Sequence, residues 1–398
     1  MKVLIASKFF YPRGGSEIVP IGTRRLLERH GHQVRVFAME YPDNFDLPDC
    51  AGYASQVSFG GGIGNKLRAL RRTLGHGDVV RAAKKVLDDF RPDVVHLHNV
   101  HSYLSPVIGE LAHRRGIRVV WTLHDYKLIC PASSFRRADG TICQECLTDK
   151  GAVVRHRCMK GSLAASIIGR LEARAWNPRR LAAFTDVFIT PSAFMGDNLR
   201  KEGCPASKIT TICNFIDQEK LTALASMPVR ERGEGYYCYI GRLSAEKGVP
   251  TLLEAADNAG VRMKVAGDGP LRESLEERFA ANEEIEFLGR LGAQEVVELL
   301  NGADAMAISS ECFENNPLSV IESLCAGTPV IGAEIGGIPE LIAPTNGRLY
   351  PSGDVEALTA LLRDFDTNIY DRSAIASRAR SDFNEETHYQ RLLDAYTK

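Results

Sequence analysis

The chain has 398 residues, 44% hydrophobic and 25% charged, a balance that excludes disorder, collagen and coiled coil and leaves room for two or three domains. Basic (49) and acidic (50) side chains nearly cancel overall, yet residues 1–217 carry 32 basic and 20 acidic groups, or +12, and residues 218–398 carry 17 and 30, or −13. The basic half is suited to something anionic, such as a membrane surface or a phosphorylated substrate.

No apolar run approaches the roughly 18 residues of a membrane-crossing helix, and the run after Met1 is too short for a signal peptide. A reducing, cytoplasmic setting is therefore expected, with the ten cysteines serving as thiols or metal ligands.

In chain order, short β-branched runs alternate with longer helical patterns, which predicts α/β domains with parallel sheets covered on both faces. The first half offers strands at Val3–Ala6, Val34–Phe37, Val94–His98, Val119–Leu123, Val187–Thr190 and Ile209–Ile212. The second offers Tyr237–Ile240, Val261–Ala266, Ile285–Leu288, Ala305–Ile308 and Val330–Gly332. Between the halves, Asp217–Gly235 combines a short helical stretch with a charged, glycine-containing segment and reads as a hinge. In open α/β sheets ligands bind beyond the carboxyl ends of the strands, so a cleft between two such domains is where chemistry is expected.

Several loops there carry suitable groups. After the first strand, Gly14 and Gly15 precede a helix that ends near Gly31; the pair serves either close approach of an anion to free amides or a tight βα turn. After the first strand of the second half, Gly241-Arg242-Leu243-Ser244-Ala245-Glu246-Lys247-Gly248 offers a guanidinium fork and a mobile ammonium, a combination fit to grip a diphosphate. No Gly-Lys-Ser/Thr occurs, which excludes a Walker A loop. Glu314 and Glu322 flank Pro317, with Glu322 beside the core-facing side of the helix that follows; paired carboxylates accept hydrogen bonds from vicinal hydroxyls.

These segments occur in order with Gly31-His32, Thr122-Leu123-His124-Asp125, Asn214-Phe215-Ile216-Asp217, Gly267-Asp268-Gly269-Pro270 and Ala326-Gly327-Thr328-Pro329-Val330. Together they resemble the retaining glycosyltransferases of family 4, the glycosyl transferases group 1. The resemblance implies the GT-B fold, two Rossmann-like domains facing each other across a cleft. An acceptor-side domain would span residues 1–217, with a cysteine-containing insert near 130–160. A nucleotide-sugar-binding domain would span 218–380, and a terminal helix, 381–398, would cross back to the first domain.

The same resemblance implies transfer of a hexose from a UDP- or GDP-sugar to a saccharide or lipid-linked acceptor, with retention, in polysaccharide biosynthesis. Arg242 and Lys247 would stabilise the departing diphosphate, aided by amides at Gly14-Gly15 and Leu318-Ser319. Glu314 matches the family's first Glu, toward the donor hexose; Glu322 matches the second, toward the ribose. Arg290 falls where the nucleobase is held, and His124 matches the histidine near the reacting sugar. No cofactor is expected for catalysis. The loop Glu311-Cys312-Phe313-Glu314 departs from the family's usual Glu-Gly-Phe-Gly, and Glu314 is preferred to Glu311 because it keeps the spacing to Glu322. Rival readings are a nucleotide-sugar epimerase of the same architecture and a non-catalytic binding subunit.

Two features lie outside these motifs. Cys130, Cys143, Cys146 and Cys158, with a central C-x2-C, have the makings of a structural zinc site in a loop that otherwise lacks a core. Residues 66–85 and 155–180 each carry seven basic side chains, the second set interleaved with Leu163, Ile167, Ile168, Leu171 and Trp176. Such segments suit peripheral docking on an anionic membrane, here the inner face of the cytoplasmic membrane. Nucleic acid is not expected, since no recognised motif accompanies the charge.

Overall fold

The computed structural model describes residues 1–12, 14–46, 54–58 and 62–398; Arg13, in the first glycine loop, and Cys50 lie outside them. The chain forms two units, Met1–Cys213 with Tyr389–Lys398, and Asn214–His388. These divisions lie four residues before the 217/218 boundary and eight residues after the 380/381 boundary expected from sequence.

In the first unit β1 (Lys2–Ala6), β2 (Gln33–Phe37), β3 (Val94–Leu97), β4 (Arg118–Thr122), β5 (Val187–Thr190) and β6 (Ile209–Thr211) form one sheet in the order β2-β1-β3-β4-β5-β6. Every pairing is parallel. Val3, Leu4 and Ile5 of β1 and all four residues of β3 are buried on both faces, which is why these strands read as continuous apolar runs rather than alternating ones. The second unit repeats the plan with β7 (Tyr237–Ile240), β8 (Met263–Ala266), β9 (Ile285–Gly289), β10 (Ala305–Ile308), β11 (Val330–Ala333) and β12 (Gly347–Tyr350), ordered β12-β11-β10-β7-β8-β9. Both are six-stranded, Rossmann-like sheets, as the alternation of elements predicts.

Of these strands only β12 escapes the sequence pattern. Its Gly347-Arg348-Leu349-Tyr350 lies at the sheet edge against β11, where Val330–Ala333 supplies the register.

The strand order reverses between β1 and β3 in the first unit and between β7 and β10 in the second. At these two points the connecting loops diverge and leave room for a ligand at the carboxyl ends of the strands. The helix Glu385–Thr397 ends the chain, and its last turns belong to the first unit. There the Tyr389 ring stacks on His30 at 3.6 Å, and the Tyr396 hydroxyl is hydrogen-bonded to His96 Nδ1 at 2.7 Å.

The basic segment 66–85 is less uniform than its composition suggests. Arg72 is fully buried, donating to the Ser55 carbonyl at 2.5 Å and pairing with Asp78. It is a structural cation rather than part of a charged face; Lys66, Arg68, Arg71, Arg81, Lys84 and Lys85 are exposed.

Candidate functional site

The second unit gathers charged groups where its strand order reverses. After β7, the chain runs through Gly241 and Arg242 into a short 3-10 turn, Ala245–Lys247, and then Gly248 opens the helix Val249–Ala259. Gly248 has φ +62, and a Cβ there would come within 1.9 Å of the Ser309 carbonyl oxygen. Only glycine therefore lets this loop lie against the loop after β10. The Ser309 hydroxyl, donating to the Lys247 carbonyl at 2.9 Å, fastens the two loops.

That contact brings Lys247 to Glu314. Its ammonium lies 2.5 Å from Glu314 Oε1, and the Ser310 hydroxyl donates to the same oxygen at 2.7 Å. Burial would depress the Lys247 pKa, but the Glu314 carboxylate, together with Cys312 and Glu246, outweighs it and holds the ammonium above its usual value. The backbone of Glu314 is set by the next loop, since its carbonyl accepts from Gly337 N at 2.8 Å. Gly336, at φ +61, leaves no space for a Cβ, which would stand 2.4 Å from that carbonyl. Glu311, the alternative first Glu, is engaged elsewhere, accepting from the Thr251 hydroxyl at 2.5 Å.

Arg242 is exposed beyond the carboxyl end of β7, and among the described residues no hydrogen bond or ion pair engages its guanidinium. The Tyr239 hydroxyl, donating to the Arg242 carbonyl at 3.0 Å, holds the backbone beneath it. Glu322 sits on the helix Leu318–Ala326, facing inward, and pairs at 2.5 Å with Lys220 of the helix Gln218–Ser226. Leu318 and Ser319 begin the first of these helices, and no group among the described residues caps their amides. Arg290, after β9, is exposed and pairs with Asp268 at 3.2 Å. The structure thus unites Lys247 with Glu314, places Glu322 and Arg290 in separate ion pairs of the same unit, and leaves Arg242 exposed there.

In the first unit, Gly14 forms the N-cap of the helix Gly15–Arg29, its carbonyl accepting from the amides of Glu17 and Ile18. A buried carboxylate, Glu17, already occupies this first turn, with the Ser16 hydroxyl donating to it at 2.8 Å. The amide end that the glycine pair was expected to offer an anion therefore has an acid of its own beside it.

His124 follows β4, and its Nε2 is hydrogen-bonded to Nδ1 of buried His98, beyond β3, at 2.8 Å. Burial pushes the His124 pKa down to about 4, against a small opposing pull from Asp125, so at neutral pH the ring is an uncharged hydrogen-bonding group.

The insert after His124 brings Cys130 and Cys146 into hydrogen-bonding contact. All nine described cysteines are free thiols. Cys143 stands apart from that pair, within 4.8 Å of Glu145 and His156.

Sequence reasoning missed Lys220, Ser310 and His98. His98 carried the clearest signal, a second histidine two positions after His96 in a predicted strand; Lys220 and Ser310 show only through contacts distant in sequence or confined to a loop.

Residues 13–220 match the family model described as Glycosyltransferase Family 4, and residues 228–382 the model described as Glycosyl transferases group 1. Glycogen synthase of Mycobacterium tuberculosis is 29% identical over 346 residues, 82% of this chain and 74% of that protein. In fold the chain is similar to Anabaena Alr3699/HepE, solved in complex with UDP (TM-score 0.68, 17% identity, 99% of each chain). It is equally similar to the lipopolysaccharide outer core galactosyltransferase WaaB in its apo form (TM-score 0.68, 18% identity, 99% of each chain).

Proposed function

Because the chain belongs to glycosyltransferase family 4, with the GT-B fold, we propose that it transfers a hexose from a nucleoside diphosphate sugar, with retention at the anomeric carbon, to a saccharide or lipid-linked acceptor in polysaccharide synthesis. The observation that carries this reading is the pairing of Lys247 with Glu314 beyond the carboxyl ends of β7 and β10, in the same loop as an exposed Arg242. A diphosphate needs cations, a hexose needs a hydroxyl-binding carboxylate, and this switch point supplies both. The UDP complex of the Anabaena protein and the lipopolysaccharide role of WaaB support a nucleotide-sugar donor and a surface-glycan product.

In this reading the acceptor hydroxyl oxygen attacks the anomeric carbon from the face that the diphosphate leaves. The bond from that carbon to the phosphate oxygen breaks, and the hydroxyl proton passes to the departing phosphate, with no covalent sugar intermediate. Arg242 and Lys247 neutralise the charge that grows on the leaving group, the kind of term that dominates such catalysis; the proposal therefore needs no divalent ion for departure. The amides of Leu318 and Ser319 add donors at a helix N-terminus. Glu314 orients the hexose hydroxyls, Glu322 the ribose hydroxyls, and Arg290 borders the base. Neutral His124 serves the acceptor side as a hydrogen-bonding group. Gly14 and Gly15 let the donor approach the backbone closely, while the buried Glu17 carboxylate in the same turn weakens the pull of their amides on its charge.

Among the described residues no helix is long and apolar enough to cross a membrane. The helix Leu163–Ala175 supports peripheral docking at the cytoplasmic face for a lipid-linked acceptor. Its buried face presents Ser166, Gly169 and Glu172, while Leu163, Ile167 and Leu171 are 44–48% exposed on the other side, with Arg170 and Arg174 exposed beside them. An apolar stripe edged by arginines matches an anionic lipid surface.

The test of the chemistry is the product: nuclear magnetic resonance of the new linkage is expected to show the anomeric configuration of the donor. Inversion, or a sugar trapped covalently on Glu314, would sink the proposed mechanism.

A further inference from the structure

The insert between Lys127 and Gly161 is built around thiols rather than around a core. Leu128, Ile129, Cys130 and Phe135 are buried at its start, but its second half has only a small apolar nucleus of Cys146, Ala152 and Val153, with Cys158, Val154 and Met159 packed against it. Such a segment ordinarily requires a staple, and all the thiols within it are free.

The backbone shapes one end of the insert as a thiolate cradle. The chain turns back after Cys130, with Ser133 and Phe135 at positive φ, so that the amides of Ala132, Ser134 and Phe135 all point at the Cys130 sulfur. Cys146 is hydrogen-bonded to the same sulfur. Cys143 is anchored to the same turn through its backbone, its amide donating to the Phe135 carbonyl at 2.7 Å, while its sulfur lies with Glu145 and His156. Cys158 follows the helix Ala152–Arg155 and is tied to it through a 3.0 Å bond from its amide to the Val153 carbonyl. Four thiolates around a divalent ion carry a net charge of −2, and positive groups stand ready for it. Arg137 donates to Cys143. Lys150 donates to the carbonyls of Cys146 and Ile129 at 2.8 and 2.5 Å.

We propose that this insert holds one zinc ion on Cys130, Cys143, Cys146 and Cys158. Amides directed at a cysteine sulfur and cations around a thiol cluster are the outer contacts that orient and stabilise thiolate ligands. Zinc is the borderline-soft, redox-inert ion that a four-thiol set closes around tetrahedrally. The competing ligand set is Cys143, Glu145 and His156, whose ligand atoms lie within 4.8 Å of one another. Glu145 is already committed, however, paired with Arg137 at 2.5 Å, Arg155 at 3.2 Å and His156 at 3.0 Å. Among the described residues no three of the four sulfurs lie within 4.8 Å of one another, so metal binding draws Cys143 and Cys158 toward the Cys130–Cys146 pair and leaves Glu145 to Arg137, Arg155 and His156. The ion would fix the loop that begins at His124, without touching the donor.

The test uses the full chain purified under reducing conditions, with metal content measured by mass spectrometry and no donor present. About one zinc per chain is expected, released when the thiols are titrated with a mercurial. Cobalt substituted into the intact protein is expected to show thiolate charge-transfer bands and the visible bands of a tetrahedral ion, which reads the ligand set without any substitution. Cys130→Ser and Cys158→Ser are expected to lose the metal, whereas Glu145→Gln and His156→Ala retain it with an unchanged cobalt spectrum. Metal-free protein, bound iron in place of zinc, or loss of zinc in His156→Ala with retention in Cys130→Ser would each overturn the assignment. None of these readouts depends on transferase activity.

Discussion

Replacing Lys247 with Met removes the ammonium but keeps the length of its stem, so it isolates the charge. At 2.5 Å from Glu314, an effective dielectric of about 20 gives a gross attraction of about 7 kcal/mol. Desolvation of both groups consumes most of it, leaving a net contribution of ~1–3 kcal/mol. The two sides of the pair are unequal, since the Lys247 side chain is 31% exposed and that of Glu314 only 15%. Removing the lysine strands the more buried charge, with Ser310 as a remaining donor. Removing the acid by Glu314→Gln releases an ammonium that water can reach. Urea unfolding is therefore expected to show Lys247→Met as the more destabilised variant, with the double variant less affected than the sum of the two. In catalysis, loss of a cation facing the leaving diphosphate is expected to lower kcat by about 100- to 1,000-fold. A Lys247→Met protein with full turnover would refute the placement of Lys247 at the leaving group. Greater destabilisation by Glu314→Gln would refute the electrostatic argument.

The remaining predictions use other parts of the molecule. Glu322→Gln is expected to raise the KM for the donor by about 10-fold with little change in kcat, because a ribose contact is equal in ground and transition states; a drop in kcat at constant KM would count against it. Burial pushes His101 down to about 3 and His124 to about 4, so between pH 6.5 and 4 the unfolded chain takes up protons that the folded chain refuses. Stability should fall as pH drops through that window, by up to about 2.7 kcal/mol per pH unit for two such groups; a flat urea midpoint from pH 6.5 to 4.5 would contradict it. Gly248→Ala is expected to destabilise the second unit by at least ~1–3 kcal/mol, from positive φ and the approach to Ser309 together, read by thermal melting. Wild-type protein is expected to sediment with vesicles containing anionic lipid, and the Leu163→Ser/Ile167→Ser/Leu171→Ser variant to remain in the supernatant. Equal behaviour of the two would remove the helix Leu163–Ala175 from membrane docking.

What the sequence made legible followed from local rules. Strands such as β1, β3, β10 and β11 were visible because a strand buried on both faces is a short apolar run between turns, and β6 through its β-branched Ile209-Thr210-Thr211 although it is not buried, whereas β12 was hidden because its side chains are a glycine, an arginine and only two apolar residues. Gly31 marked the end of the first helix, and it has positive φ in the structure just past that helix. Burial of charge was not legible. Arg72 looks in sequence like its exposed neighbours Arg68 and Arg71, and only its contacts with Ser55 and Asp78 show it to be a structural cation. The same holds for Lys220, whose partner Glu322 lies 102 residues away, and for Glu17, whose short loop hid the acid beside the glycine pair.

The central claim is that Arg242 and Lys247 assist departure of a nucleoside diphosphate. The direct measurement offers UDP-, GDP- and ADP-sugars to the protein, with and without lipid-linked acceptors, and reads released nucleoside diphosphate alongside an Arg242→Ala control. The account predicts release from one donor class, stimulated by acceptor and reduced at least 100-fold in the variant. Release that is undiminished in Arg242→Ala, or donor sugar converted to its epimer with no acceptor consumed, would contradict it.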